Sequence, residues 1–157
     1  MRAVIQRVSR AEVGVDSNVV ASIGRGIVVM LGVAHDDSEA DVEYTVKKLS
    51  EIRLFSDEED RLNLSLRQVG GEILLVSNFT VLGNTRKGSR PSYSKAARLK
   101  KAEQLYLKVL ESLKDEGLPA YGGRFGARMK ISLDADGPVT LIIDSRDRRK
   151  PVFADSV

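Results

Sequence analysis

The sequence predicts a single α/β domain, built as a curved, mainly antiparallel or mixed β-sheet or barrel with two packed α-helices. Three observations carry this. About eight short Val- and Ile-rich segments are separated by tight turn signals. Two segments show the apolar spacing and end signals of helices. Strict strand-helix alternation is absent, which disfavours a doubly wound parallel sheet. At 157 residues, with 42% hydrophobic and 30% charged residues, the chain fits one domain with a real core rather than a disordered polymer.

In order, residues 3–8, 12–15, 19–22 and 27–33 read as strands, with turns at Asp16-Ser17-Asn18 and Gly24-Arg25-Gly26. Ser38 can cap a helix over 39–50, with Asp41 in the place of the capping-box acid. Val42, Val46 and Leu49 then share one face. Residues 52–55 read as a strand before the acidic turn SDEED, and 72–80 as a core strand. Ser94 can cap a long helix over 95–116, with an apolar stripe from Leu99 to Leu113 and a stop at Gly117 and Pro119. Two more strands, 127–133 and 139–144, follow the turn at Gly122-Gly123. The boundary is expected near 145, with a basic C-terminal tail over 146–157 that is polar and mobile unless Val152 and Phe153 dock.

No apolar run reaches the ~18–20 residues a membrane span requires. The opening MRAVIQRVSRAEVGV is interrupted by Arg7 and Arg10 and has no secretion-signal core. With no cysteine in the chain, disulfides, thiolate zinc sites and cysteine nucleophiles are all excluded. The expectation is a cytoplasmic protein without a membrane partner. His35 is the single imidazole, so a conventional zinc site is disfavoured, and its loop position reads as exposed or capping rather than basic in catalysis.

The formal charge of +3 is modest, but Arg86, Lys87, Arg90, Lys95, Arg98, Lys100 and Lys101 crowd positions 86 to 101. That segment is either the wet face of a helix and its approach, or a surface that grips nucleic-acid phosphates by releasing counterions. Sequence alone leaves both open. GNTRKGSR has the two glycines of a phosphate loop, but Ser89 replaces the lysine and Pro91 precedes any helix, so an ATP site is disfavoured. Thr80, at the strand end in VSNFT, has a hydroxyl with no adjacent base to take its proton. DGPVT, 136–140, carries a Gly-Pro turn signal whose isomer spacing does not reveal.

MRAVIQRVSRAEV, NLSL, VGGEILLVSNFT, NTRKGSRPS, GRFGARMKISL and DGPVTLIIDS, in that order, resemble the D-aminoacyl-tRNA deacylase (D-tyrosyl-tRNA(Tyr) deacylase) family over nearly the whole chain. The resemblance implies a homodimer with two active sites at its interface, aminoacyl-tRNA as substrate, and no cofactor or metal. It places Ser77, Asn78, Phe79 and Thr80 on the family's S-Q-x-T-L motif, whose backbone holds the aminoacyl adenosine. It places Gly137 and Pro138 as a cis Gly-Pro gate that enters the partner's pocket and rejects L-residues, with Arg7 as its brace. Arg86, Lys87 and Arg90 are expected to meet tRNA phosphates. The expected reaction is hydrolysis of D-aminoacyl-tRNA and of glycyl-tRNA, including glycine mischarged on tRNA(Ala). Rival readings are an L-alanine-clearing deacylase of the same fold and a non-catalytic tRNA- or DNA-binding module. Asn78, Val81 and Asp136 depart from the family's Gln, Leu and Asn.

Overall fold

The structure is a computed structural model that describes residues 1–149. Its spine is β1 (Arg2–Val15), whose inward residues alternate along the strand and leave Ser9 and Arg10 exposed. The first half of β1 pairs antiparallel with β3 (Gly26–Gly32), and its second half with β2 (Asn18–Ile23). Its other edge pairs antiparallel with β8 (Lys130–Asp144). Two parallel pairings extend the sheet, β3 with β6 (Glu72–Ser77) and β6 with β7 (Ala120–Gly122). A separate hairpin joins β4 (Arg53–Ser56) to β5 (Leu62–Ser65).

The parallel strands explain their own sequences. Both faces of β3 and β6 are covered, so they read as continuous apolar runs rather than alternating ones. One face, with Ile5, Val29, Leu31 and Leu75, packs against the helices α1 (Glu39–Glu51) and α2 (Leu99–Asp115). The other, with Val8, Val13, Val28 and Leu74, is closed by Met129, just before β8, and by Ile131 and Leu133 at its start. The sheet therefore curls over a second small core and is mixed but mainly antiparallel, as the sequence predicts.

The predicted cap of α1 holds: the Asp41 carboxylate accepts the Ser38 N–H at 2.9 Å and its hydroxyl at 3.0 Å. Asp41 also accepts from Ser145 Oγ at 2.8 Å and from Arg148. Burial works to raise its pKa, but these donors, Ser145 foremost, outweigh it and hold the carboxyl well below the usual range. Ser145–Arg149 thus forms a 3-10 turn docked on α1, where a loose segment is expected. Residues 150–157, with Val152 and Phe153, lie outside the described residues.

Other boundaries differ from expectation for identifiable reasons. β1 and β8 each run through the break predicted within them, because register shifts near Val8 and Arg10 absorb the irregular residues. β6 ends at Ser77 rather than continuing to Thr80. The helix over α2 begins at Leu99, with Arg98 and not Ser94 as its cap residue. Residues 95–97 instead pair with residues 33–35, just past β3: His35 N–H donates to Lys95 O and Ala97 N–H to Val33 O, each at 2.9 Å. Inter-segment pairing wins there over helix propensity. Among the described residues no helix is long and apolar enough to cross a membrane.

Candidate functional site

At the end of β6 the chain makes a 3-10 turn, Phe79–Leu82. Asn78 causes it. Its Oδ1 accepts the Thr80 N–H at 3.1 Å and the Thr80 hydroxyl at 2.5 Å, so a side chain offers the backbone an alternative to the strand. The turn packs on Gly32, where an added Cβ would lie 2.6 Å from Val81 Cγ2 and 3.1 Å from Asn78 O. Only glycine lets the end of β3 approach this closely.

Ser77, Asn78 and Phe79 form one wall of a cleft of about 680 Å³. Residues 96–99 of the approach to α2 form a second wall, and Phe125 and Met129 a third. Phe79 is 56% exposed and meets Tyr93 edge-to-face, with ring centroids 5.0 Å apart. At the cleft floor the Tyr106 hydroxyl donates to Leu75 O at 2.9 Å, and burial raises its pKa to about 12. Among the described residues the lining is largely apolar and includes no carboxylate, imidazole or lysine, and Arg98 is the one permanent charge. Such a cleft suits a flat, partly apolar ligand, to which it offers backbone groups and the hydroxyls of Ser77, Tyr93 and Tyr106. Thr80 is not in the lining, and its hydroxyl proton is directed at an amide oxygen, which is no base.

A second cluster lies on β8. The Gly137-Pro138 peptide is cis, and both residues are exposed. Arg7, only 8% exposed, braces the segment: Nε donates to Asp136 O at 3.2 Å and pairs with its carboxylate at 3.2 Å, while Nη1 donates to Leu54 O at 2.6 Å. Gly137 has φ 123, and a Cβ there would lie 3.0 Å from Arg7 Nη2. Neither Gly137 nor Pro138 lines the cleft formed by residues 77–79 of the same chain. Farther along the strand, Leu141 and Ile142 are exposed, Ile142 by 67%.

The structure therefore brings Ser77, Asn78, Phe79 and Thr80 together, and Arg7, Gly137 and Pro138 together, but not the two groups. Arg86, Lys87 and Arg90 are exposed on the loop after the turn; Arg86 also reaches a polar cleft that is separate from the apolar one. Sequence reasoning missed Tyr93, Ala96, Ala97, Phe125 and Met129 as lining residues. The signals available were the paired small residues before α2 and the aromatic in GRFGARMK.

The family described as D-Tyr-tRNA(Tyr) deacylase matches residues 4–144. A D-aminoacyl-tRNA deacylase of Opitutus terrae is 52% identical over 149 residues, covering 94% of this chain and 99% of that protein. One of Clostridioides difficile is 48% identical over 145 residues, covering 92% and 97%. Among solved structures, the c-Myc DNA Unwinding Element Binding Protein superposes with a TM-score of 0.86 at 38% identity, over 92% of this chain and 98% of that one. A probable eukaryotic D-amino acid tRNA deacylase shares the fold, with a TM-score of 0.77 at 18% identity over 90% and 97%.

Proposed function

Because this chain belongs to the D-Tyr-tRNA(Tyr) deacylase family, hydrolases of the aminoacyl-tRNA ester bond, we propose that it clears D-aminoacyl-tRNA as a homodimer whose cleft is completed by the partner's Gly-Pro segment. The observation that carries the reading is a cleft walled by residues 77–79 whose lining, among the described residues, offers no carboxylate, imidazole or lysine as a base. The terminal adenosine and its aminoacyl group lie in this cleft, beside Phe79. The Phe79 N–H, at the head of the 3-10 turn, polarises the ester carbonyl as an oxyanion donor. The ribose hydroxyl beside the ester directs the attacking water and relays its proton. The acyl C–O bond breaks, the leaving ribose oxygen takes one of the water's protons, the other passes to solvent, and the amino acid leaves as its carboxylate. Thr80 shapes the turn and takes no acyl group.

The chiral choice belongs to the exposed carbonyls around Gly137 and Pro138, contributed by the second copy. Support comes from their position outside their own cleft and from the apolar Leu141 and Ile142 beyond them, which give a second copy a surface to cover. An L-side chain collides with this backbone and a D-side chain points away, whatever its chemistry. Glycine has no side chain to collide, so glycyl-tRNA, including glycine on tRNA(Ala), is cleaved too. Arg86, Lys87 and Arg90 hold the RNA backbone, and the protein works in the cytoplasm, where its substrate is made.

The test is deacylation of D-Tyr-, L-Ala-, Gly- and L-Tyr-tRNA at equal enzyme. The D-Tyr and Gly esters are cleaved and the L-Tyr ester is spared. Equal cleavage of L-Tyr-tRNA overturns the gate, preference for L-Ala-tRNA favours the L-alanine reading, and binding without any cleavage favours the non-catalytic module.

A further inference from the structure

The Phe79–Leu82 turn separates two clefts of opposite character. On one side is the apolar cleft. On the other is a polar cleft of about 410 Å³, with Arg2, Arg86, Lys95 and Arg146 facing the carboxylates of Asp36 and Asp144. The same two chain segments wall both: 77–79 and 96–99 line the first, and 82–86 and Lys95 line the second.

Two of these four basic groups, Arg2 and Arg146, are oriented by the same carboxylate. Asp144 Oδ2 accepts Arg2 Nη2 at 3.0 Å, and Asp144 Oδ1 accepts Arg146 Nε at 2.9 Å. One carboxylate therefore holds two guanidiniums side by side, and the pair keeps a net positive charge. Arg2 Nη1 also donates to Val81 O at 3.1 Å, inside the turn that borders the apolar cleft. Each guanidinium has five N–H donors, more than Asp144 and Val81 accept from it. Two aligned guanidiniums with spare donors match the oxygens of a phosphodiester. An ordinary structural ion pair would explain the clamp, but not why Lys95 and Arg86 face the same hollow.

We infer that the polar cleft, with the Arg2–Asp144–Arg146 clamp at its centre, is a phosphodiester subsite that holds the backbone just before the terminal adenosine of the RNA substrate. The inference rests on the deacylase reading only for the source of the phosphate. A nucleotide strand whose terminal adenosine fills the apolar cleft passes the turn and enters the polar one. Arg2 then joins the two, since it touches both the clamp and the turn.

The experiment is equilibrium binding of the uncharged trinucleotide CpCpA and of adenosine to the unmodified dimer, which needs no catalysis. CpCpA binds at least about tenfold tighter than adenosine at low salt, and the logarithm of its affinity falls with log salt by about 0.7 per phosphate held. In Arg146→Gln and in Lys95→Gln this advantage shrinks to less than about threefold, whereas Lys47→Gln, an equal loss of charge on the exposed face of α1, keeps it. An advantage absent from the unmodified protein, or kept by both cleft variants, overturns the assignment. Inorganic pyrophosphate separates the two sources of phosphate: it displaces CpCpA and leaves adenosine bound. If it instead alters adenosine binding, the cleft serves a free anionic effector and the RNA assignment is wrong. Failure of the deacylase reading looks different, namely CpCpA binding that depends on Arg146 with no ester cleavage.

Discussion

Residues 77–82 and 136–139 both put backbone forward, but they are held by different means. The first is fixed locally: Asn78 reaches two residues along and ties down the Thr80 N–H and hydroxyl. The second is fixed from a distance, by a buried Arg7 that is 129 residues away in sequence from the Asp136 carbonyl it binds. The first lines a cleft within its own chain; the second exposes Gly137 and Pro138 and lines none of it. The difference teaches that side chains here act as braces for main-chain groups. It also teaches that the two segments do not meet within one chain.

The strongest way to break this comparison is at Gly137. A Cβ at φ 123 meets both the Val139 N–H at 2.8 Å and Arg7 Nη2 at 3.0 Å, so Gly137→Ala forces the segment and its brace apart. The expected loss in kcat/KM on D-Tyr-tRNA is about 100-fold, with rejection of L-Tyr-tRNA weakened and the fold retained by circular dichroism. Removing the local brace costs less. Asn78→Ala gives up a cap of about 1 kcal/mol, read by thermal melting. Its kcat/KM falls about tenfold, which corresponds to ~1.4 kcal/mol of lost positioning. The smallest effect belongs to Asp136→Asn. The carboxylate is 45% exposed, and Arg7 keeps its bond to the Asp136 carbonyl, so stability changes by less than about 1 kcal/mol and initial rates by less than about threefold. A large effect there would mean the brace acts through charge, not through the backbone.

The sequence shows some of this and hides the rest for physical reasons. The apolar runs of β3 and β6, the α1 cap at Ser38 and the amphipathic stripe of α2 are local patterns, and each forms in its expected segment, although β6 stops at Ser77 and α2 starts at Leu99. Leu99, counted in that stripe, is 73% exposed, because α2 starts there and its first turn stands on the rim of the cleft. Ser9-Arg10 and Asp136-Gly137-Pro138 look like strand breaks, yet β1 and β8 run through them, because ladder pairing on either side fixes the path. Asn78 was visible as a departure from the family motif, but its function as a cap requires the turn to be seen. The polar cleft was not legible at all. Arg2, Asp144 and Arg146 come together only because β1 and β8 pair end to end, with Arg2 opposite Asp144.

The central claim is that catalysis comes from the backbone and from the substrate's own ribose, with no side-chain nucleophile. It is tested most directly by single-turnover deacylation of D-Tyr-tRNA ending in 2′-deoxyadenosine, beside the natural ester, on the unmodified protein and on Thr80→Ala. The account predicts that loss of the ribose hydroxyl slows cleavage at least about 100-fold, while Thr80→Ala slows the natural ester by less than about tenfold. Undiminished cleavage of the deoxy substrate, with near-complete loss in Thr80→Ala and an acyl-enzyme trapped on the unmodified protein, would contradict it.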